Sequence, residues 1–256
     1  MKNYLFKKNK NNLIKITLVL FLLSISALWV KSENTNIYQV LSPNKELPIY
    51  SVDRQDKKVS ISFDAAWGDK FTREILDILD EHNVKTTFFL VEFWVEKYPD
   101  LVKEIDARGH EIGNHSSNHP YMSKLNDIQI IDELERTEDK VYELIGKRTT
   151  LFRPPFGDYN DRLINVCKEN GYHVIQWNID SLDWKERGVQ PVVDRVIKNV
   201  DDGSIILFHN NAKYVTEYLP IVLKELKNKG YEVTPISKLI YKDDYYIDHE
   251  GRQFKK

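Results

Sequence analysis

The sequence predicts an α/β domain built on a parallel sheet, either open or closed into a barrel. Two observations carry that prediction. Short β-rich runs alternate with amphipathic helical runs along most of the chain, the pattern of strands joined by crossover helices. Each cluster of reactive polar residues also falls where a strand run ends, and the C-terminal strand edge of α/β folds is where chemistry gathers. Length agrees: 256 residues, 41% hydrophobic and 30% charged, suit one sizeable domain with extensions.

Residues 1–31 stand apart. Lys2, Lys7, Lys8, Lys10 and Lys15 precede an apolar run from Ile16 to Val30. A basic flank before an apolar core is the layout of a membrane anchor or signal peptide. The run is slightly short for a span unless Leu13 and Ile14 join it and Lys15 snorkels. Trp29 suits an outer interface, and Ser24-Ile25-Ser26 is a mediocre cleavage site. Positive charge on the N-terminal side predicts that the rest of the chain lies outside the membrane.

Residues 32–56 are polar, hold Pro43 and Pro48, and read as a linker or arm. The folded domain is expected over 57–241. Val59 to Phe63 alternates as a strand should and ends at Asp64. A helix from Phe71 to His82 puts Ile75, Leu76, Ile78 and Leu79 on one face. Thr86 to Val91 is the next strand. Pro99 to Arg108 is a helix stopped by Gly109, and a short strand leads to His115. Asp127 to Ile145 is a long amphipathic helix ended by Gly146. Thr149 to Phe152 is a strand running into Arg153. Asn160 caps a helix that reaches Asn170. His173 to Ile179 is a strand ending at Asp180. Pro191 to Val200 is a helix with proline in its first turn. Ser204 to Phe208 is an apolar strand ending at His209. Val215 to Lys229 is a helix and Glu232 to Ile236 the last strand. Residues 242–256 form a polar tail, expected to be peripheral.

Composition excludes some functions. The net charge is −2 and no basic block lies in the folded part, so a nucleic-acid partner is not expected. Cys167 is the only cysteine, which rules out an intrachain disulfide and a cysteine-based metal site. It reads as a small buried helix side chain. Repeats are absent, and a monomer is expected.

His115 and His119 are the sharpest local signal. Four-residue spacing puts two imidazoles on one side of a helical turn, a common start to a zinc-type site. No glutamate follows the first histidine, so the His-Glu-x-x-His protease pattern fails. The bland alternative is two exposed histidines.

Five motifs in order resemble the polysaccharide deacetylases, carbohydrate esterase family 4 with the NodB homology domain. They are Ser62-Phe63-Asp64, His115-Ser116-Ser117-Asn118-His119, Arg153-Pro154-Pro155-Phe156-Gly157, Asp180-Ser181-Leu182-Asp183-Trp184 and Leu207-Phe208-His209. The resemblance implies a distorted (β/α) barrel of about seven parallel strands over residues 57–241. It implies metal-assisted N-deacetylation of a cell-wall or spore-cortex polysaccharide. His115 and His119 would hold a divalent metal, zinc or cobalt. Asp64 would be the base, held ionised by Arg153, and His209 the acid, oriented or tuned by Asp180. Phe156, Trp184 and Leu207 would shape the substrate pocket, with the Phe156 N–H on the oxyanion. For Trp184 and Leu207, core packing is an equal reading.

One departure matters. The family places a second aspartate, its third metal ligand, directly after the base; here that residue is Ala65. The Phe-Asp-Ala-Ala-Trp-Gly-Asp form resembles the sporulation-associated branch. Water or Asp69 would have to fill the vacancy, although Asp69 reads more simply as a helix N-cap. The alternative is a catalytically weak or inactive glycan-binding module that grips sugar through Trp67 and Trp184. A hydrolase of another acyl substrate is a remote third reading.

Overall fold

The computed structural model describes residues 45–256. The expected anchor at 1–31 lies outside the described residues, among which no helix is long and apolar enough to cross a membrane.

Strand β2 (Lys58–Ala65) lies inside the sheet and pairs with three other strands. Val59, Ile61, Phe63 and Ala65 alternate onto one face and pack in the main apolar core with helix α1 (Thr72–Glu81) and its neighbours. Ser60, Ser62 and Asp64 take the opposite face and are also buried. Ser60 and Ser62 satisfy their hydroxyls on the Thr234 and Ile206 carbonyls. A strand buried on both faces is the mark of a parallel sheet under helices.

The other strands are β3 (Thr87–Leu90), β4 (Glu111–Asn114), β5 (Leu151–Phe152), β6 (His173–Val174), β7 (Ile179–Asp180) and β8 (Ile205–His209). Their order is β6-β5-β4-β3-β2-β8-β7, every pair parallel, with the short β9 (Glu232–Val233) on β2. This is the expected seven-stranded parallel sheet curled towards a barrel. Its inner face holds an apolar cluster that includes Phe89, Leu151, Ile175 and Ile205. Gly113 is required there, because a Cβ would stand 2.5 Å from the Phe89 ring.

Helices α2 (Glu92–Lys97), α3 (Pro99–Ala107), α4 (Asp127–Ile145), α5 (Asp161–Glu169), α6 (Val189–Asn199), α7 (Val215–Asn228) and α8 (Ile236–Leu239) complete the layer. Helix α4 is bounded by an Asn126–Gln129 capping box and a left-handed Gly146. Asn160 caps α5 on the Leu163 N–H. Cys167 is buried in α5, as read from sequence.

Four expectations need correction. The strand expected over 173–179 breaks into β6 and β7, because Gln176 leaves its own sheet to bond Ile49. Helix α2 was not expected; it is a six-residue turn joined almost directly to α3. Residues 32–56 are not all arm: β1 (Ser51–Val52) is a strand, and Ile49 and Val52 are buried in the inner cluster. The tail is not peripheral. β10 (Tyr245–Ile247) and β11 (Arg252–Lys255) form a hairpin that pairs with β1. Gln253 is fully buried and bonds the Tyr241 backbone.

Candidate active site

Parallel register brings the motifs together. Asp64 is the Cα partner of Phe89 and of His209. Leu90 pairs with Asn114, and Asn114 with Phe152, so His115 and Arg153 leave adjacent strand ends. Asp180 pairs with Leu207. Asp64, His115, His119, Phe156, Asp180, Trp184, Leu207 and His209 line one cavity of about 570 Å³, together with Ala66, Trp67 and Trp177. Arg153 lies just beneath it, fully buried.

Asp64 is divided between two jobs. Its Oδ1 accepts from Arg153 Nη1 at 2.7 Å, while Oδ2 faces His115 Nε2 at 3.5 Å. Burial alone would raise its pKa, but the charge of Arg153, with that of His209 and the Arg153 hydrogen bond, outweighs it and holds the carboxyl below the usual range. Arg153 is itself fixed by the Gln176 carbonyl and by the Phe89 ring, 4.1 Å from its guanidinium.

The histidine pair does not stand on a helical turn. Residues 115–119 form an irregular loop with Ser116 at φ 70° and His119 at φ 56°. Those left-handed residues fold the loop back, so the two rings meet edge to face with centroids 5.0 Å apart. His115 Nδ1 lies 2.7 Å from the Arg153 carbonyl. A carbonyl only accepts, so Nδ1 carries the hydrogen and Nε2 presents a lone pair to the cavity. Burial lowers the pKa of both rings, that of His119 to about 4. Both are therefore neutral near pH 7.

A lone pair on His115 Nε2 facing a carboxylate oxygen calls for a cation or proton between them. His119 Nδ1 is buried with no hydrogen-bond partner, and neutral imidazoles are the form that binds metal. The residues present thus fit a cation held by two imidazoles. No third ligand completes it: among the described residues no cluster of three or more His, Cys, Asp or Glu could hold a metal. Ala65 is fully buried in the main core and lines no part of the cavity. Asp69 lines none of it either. Nor is it the N-cap of α1, which is Phe71, without a side-chain cap.

The residue that orients His209 is Asp183, which corrects one half of the role expected of Asp180; Asp180 acts on the ring through its charge alone. Asp183 Oδ1 is 2.7 Å from His209 Nδ1, and its Oδ2 accepts from the His209 N–H and the Tyr218 hydroxyl. Asp180 instead turns its Oδ1 to the Leu182 N–H. Leu182, at φ 57°, is the left-handed kink that carries Asp183 back under the histidine. Burial opposes the charged ring, but the Asp183 hydrogen bond and charge, with Asp64 and Asp180 behind, raise the His209 pKa above its ordinary value.

The pocket residues divide. Leu207 is buried, whereas Phe156 and Trp184 are 56% and 55% exposed, so core packing is not the role of Trp184. Phe156 stands at φ 60° in a short 3-10 turn, stacks on Tyr121 and meets His119 edge-on. Trp67 also meets His119 edge-on, with ring centroids 4.9 Å apart. The cavity mouth is therefore aromatic, as a sugar-binding surface can be. Sequence reasoning missed Glu133, whose carboxylate holds the histidine loop from below. Its signal was a glutamate in the buried stripe of α4.

Residues 51–175 match the polysaccharide deacetylase family. The chain is 35% identical over 196 residues to a peptidoglycan-N-acetylglucosamine deacetylase of Bacillus cereus, covering 75% of this chain and 92% of that one. It is 32% identical over 199 residues to the peptidoglycan-N-acetylmuramic acid deacetylase PdaA of Bacillus subtilis, covering 76% of each. Among solved structures it resembles a pseudoenzyme of carbohydrate esterase family 4 from Bacillus anthracis, with TM-score 0.73 and 31% identity over 82% of this chain and 73% of that one. A mutant of that pseudoenzyme with restored enzymatic activity is equally similar in fold.

Proposed function

This chain belongs to the polysaccharide deacetylase family, and from that premise we propose that it hydrolyses N-acetyl groups from a peptidoglycan-type glycan. One observation carries the reading: a carboxylate and an imidazole face one cavity, and each is bonded to a buried partner that favours its charged form. A binding surface has no need of such a pair.

A divalent cation, zinc or cobalt, held by His115 and His119 would polarise the acetyl carbonyl and make water a better nucleophile. The rest is the work of this chain. Asp64 takes the proton of the attacking water at Oδ2, since Oδ1 is committed to Arg153. Arg153 keeps that carboxylate charged and aimed. His209 keeps one proton on Nδ1, bonded to Asp183, and delivers the other from Nε2 to the departing amine. The Phe156 N–H faces the developing oxyanion. Leu207 walls the acetyl group, and Trp67 and Trp184 flank the sugar. The lysine-rich apolar N-terminus fits a domain displayed outside the membrane, where such a glycan lies.

A second reading, a glycan-binding module of low or no turnover, is favoured by Ala65, which leaves the cation two protein ligands. Acetate release from N-acetylated peptidoglycan separates the two. We expect turnover that Asp64→Asn and His209→Ala each reduce by about 100-fold or more, with glycan binding retained. Glycan binding without acetate release from the parent protein would favour the module.

A further inference from the structure

Glu133 is out of place on α4. The buried residues of that helix are Ile130, Glu133, Leu134, Thr137 and Val141, a stripe that a core-facing helix reserves for apolar side chains. The Glu133 carboxylate is 8% exposed overall and fully engaged. Its Oε2 accepts from the Ser117 N–H at 2.9 Å and the Asn118 N–H at 2.8 Å, and its Oε1 accepts from Asn118 Nδ2 at 2.8 Å. Two successive backbone N–H groups converging on one oxygen require a curled chain. That curl starts at the left-handed Ser116 and ends at the left-handed His119. Non-glycine residues hold such φ values only where their surroundings impose them.

The loop has further ties. The Ser117 hydroxyl donates to Glu92, whose carboxylate is paired with Arg136. The His119 N–H donates to the Ser116 hydroxyl at 3.0 Å. Glu133 alone holds both backbone N–H groups at the centre of the curl. Without it the Ser117 N–H, on a residue 1% exposed, would be buried with no acceptor. The loop would then relax, and His119 would lose its place against His115.

We propose that Glu133 is a positioning residue that sets the His115–His119 geometry by clamping the loop between them. The proposal rests on the reading that these two imidazoles hold a cation. Support of ligands from behind is worth about 10–100-fold in metal affinity, and it counts most where protein ligands are few.

The test uses the full-length protein with Glu133→Ala, Glu133→Gln and Val141→Ala. Val141 is a buried residue of the same helix, about two turns beyond Glu133, in a core cluster that contains none of the loop residues. Two quantities are read: zinc affinity by chelator competition, and hydrogen exchange of the Ser117 and Asn118 amides. Glu133→Ala should weaken zinc by about 10-fold or more and speed exchange at both amides. Glu133→Gln keeps an oxygen that can accept both N–H groups and should stay within about threefold of the parent on both measures. Val141→Ala should lower the melting temperature while leaving zinc affinity and loop exchange unchanged. Unchanged amide exchange in Glu133→Ala overturns the clamp, and so does zinc affinity no weaker than that of Val141→Ala. A parent protein that binds no zinc defeats the cation reading instead, and amide exchange then decides the clamp by itself.

Discussion

At His209 two forces compete for one proton. Burial favours the neutral ring, and Asp183 favours the charged one and prevails. A general acid must be protonated, so activity should persist above the ordinary histidine pKa of about 6.5 and fall only beyond the raised value. Asp183→Asn removes the charge and keeps the shape. The alkaline limb of the pH–rate profile should then move to lower pH, while Asp180→Asn should move it much less. Equal shifts for the two variants would show that the ring responds to general charge rather than to its hydrogen bond. The choice between these carboxylates was not legible in the sequence. Asp180 ends β7 and Asp183 follows three residues on, and only the left-handed turn at Leu182 decides which reaches His209. Asp64, Arg153 and His209 were legible, because each lies at or next to the C-terminal end of a strand whose apolar pattern fixes its place.

Elements carry a second titration, remote from the cavity. His110, between α3 and β4, accepts the Thr86 N–H on Nδ1 and packs edge-on to Phe88. Burial, then the charge of Lys85, lowers its pKa to about 4. Between that value and about 6.5 the unfolded chain binds a proton that the native state refuses. This contribution to stability is therefore complete above pH 6.5 and is lost as pH falls towards 4. The loss is on the order of 2 kcal/mol after allowance for partial solvent screening. His110→Asn retains an acceptor for Thr86 and cannot titrate, so its denaturation midpoint should decline less steeply between pH 7 and pH 4.5. A decline parallel to that of the parent would assign the effect elsewhere. Long elements with clear ends were the legible ones: α4 has its capping box and its glycine. Short ones were not. Helix α2 has six residues and too little periodicity to show, and the break between β6 and β7 is imposed by Ile49, distant in sequence.

The whole molecule makes a site from five strand ends, and its outer segments secure that frame. β1 and the β10–β11 hairpin form a second small sheet, tied to the inner core by Ile49, Val52 and Gln253. This packing was invisible in a polar tail, since its strands are short and their partner lies at the other end of the domain. Ending the chain at Tyr241 should lower the melting temperature by about 5–10 °C, the scale of losing a few kcal/mol of buried contacts. An unchanged melting temperature would return the tail to the periphery. The central claim is a working hydrolytic site whose cation rests on two imidazoles, since Ala65 packs in the apolar core and offers no ligand. The measurement is acetate release from N-acetylated peptidoglycan against free zinc, for the parent, His115→Ala and His119→Ala. The parent should release acetate as zinc is added, and each variant should need at least about 100-fold more zinc, beyond the scale on which support from behind a ligand matters. No release by the parent at any zinc concentration, or release by the variants at the zinc concentration the parent needs, would contradict it.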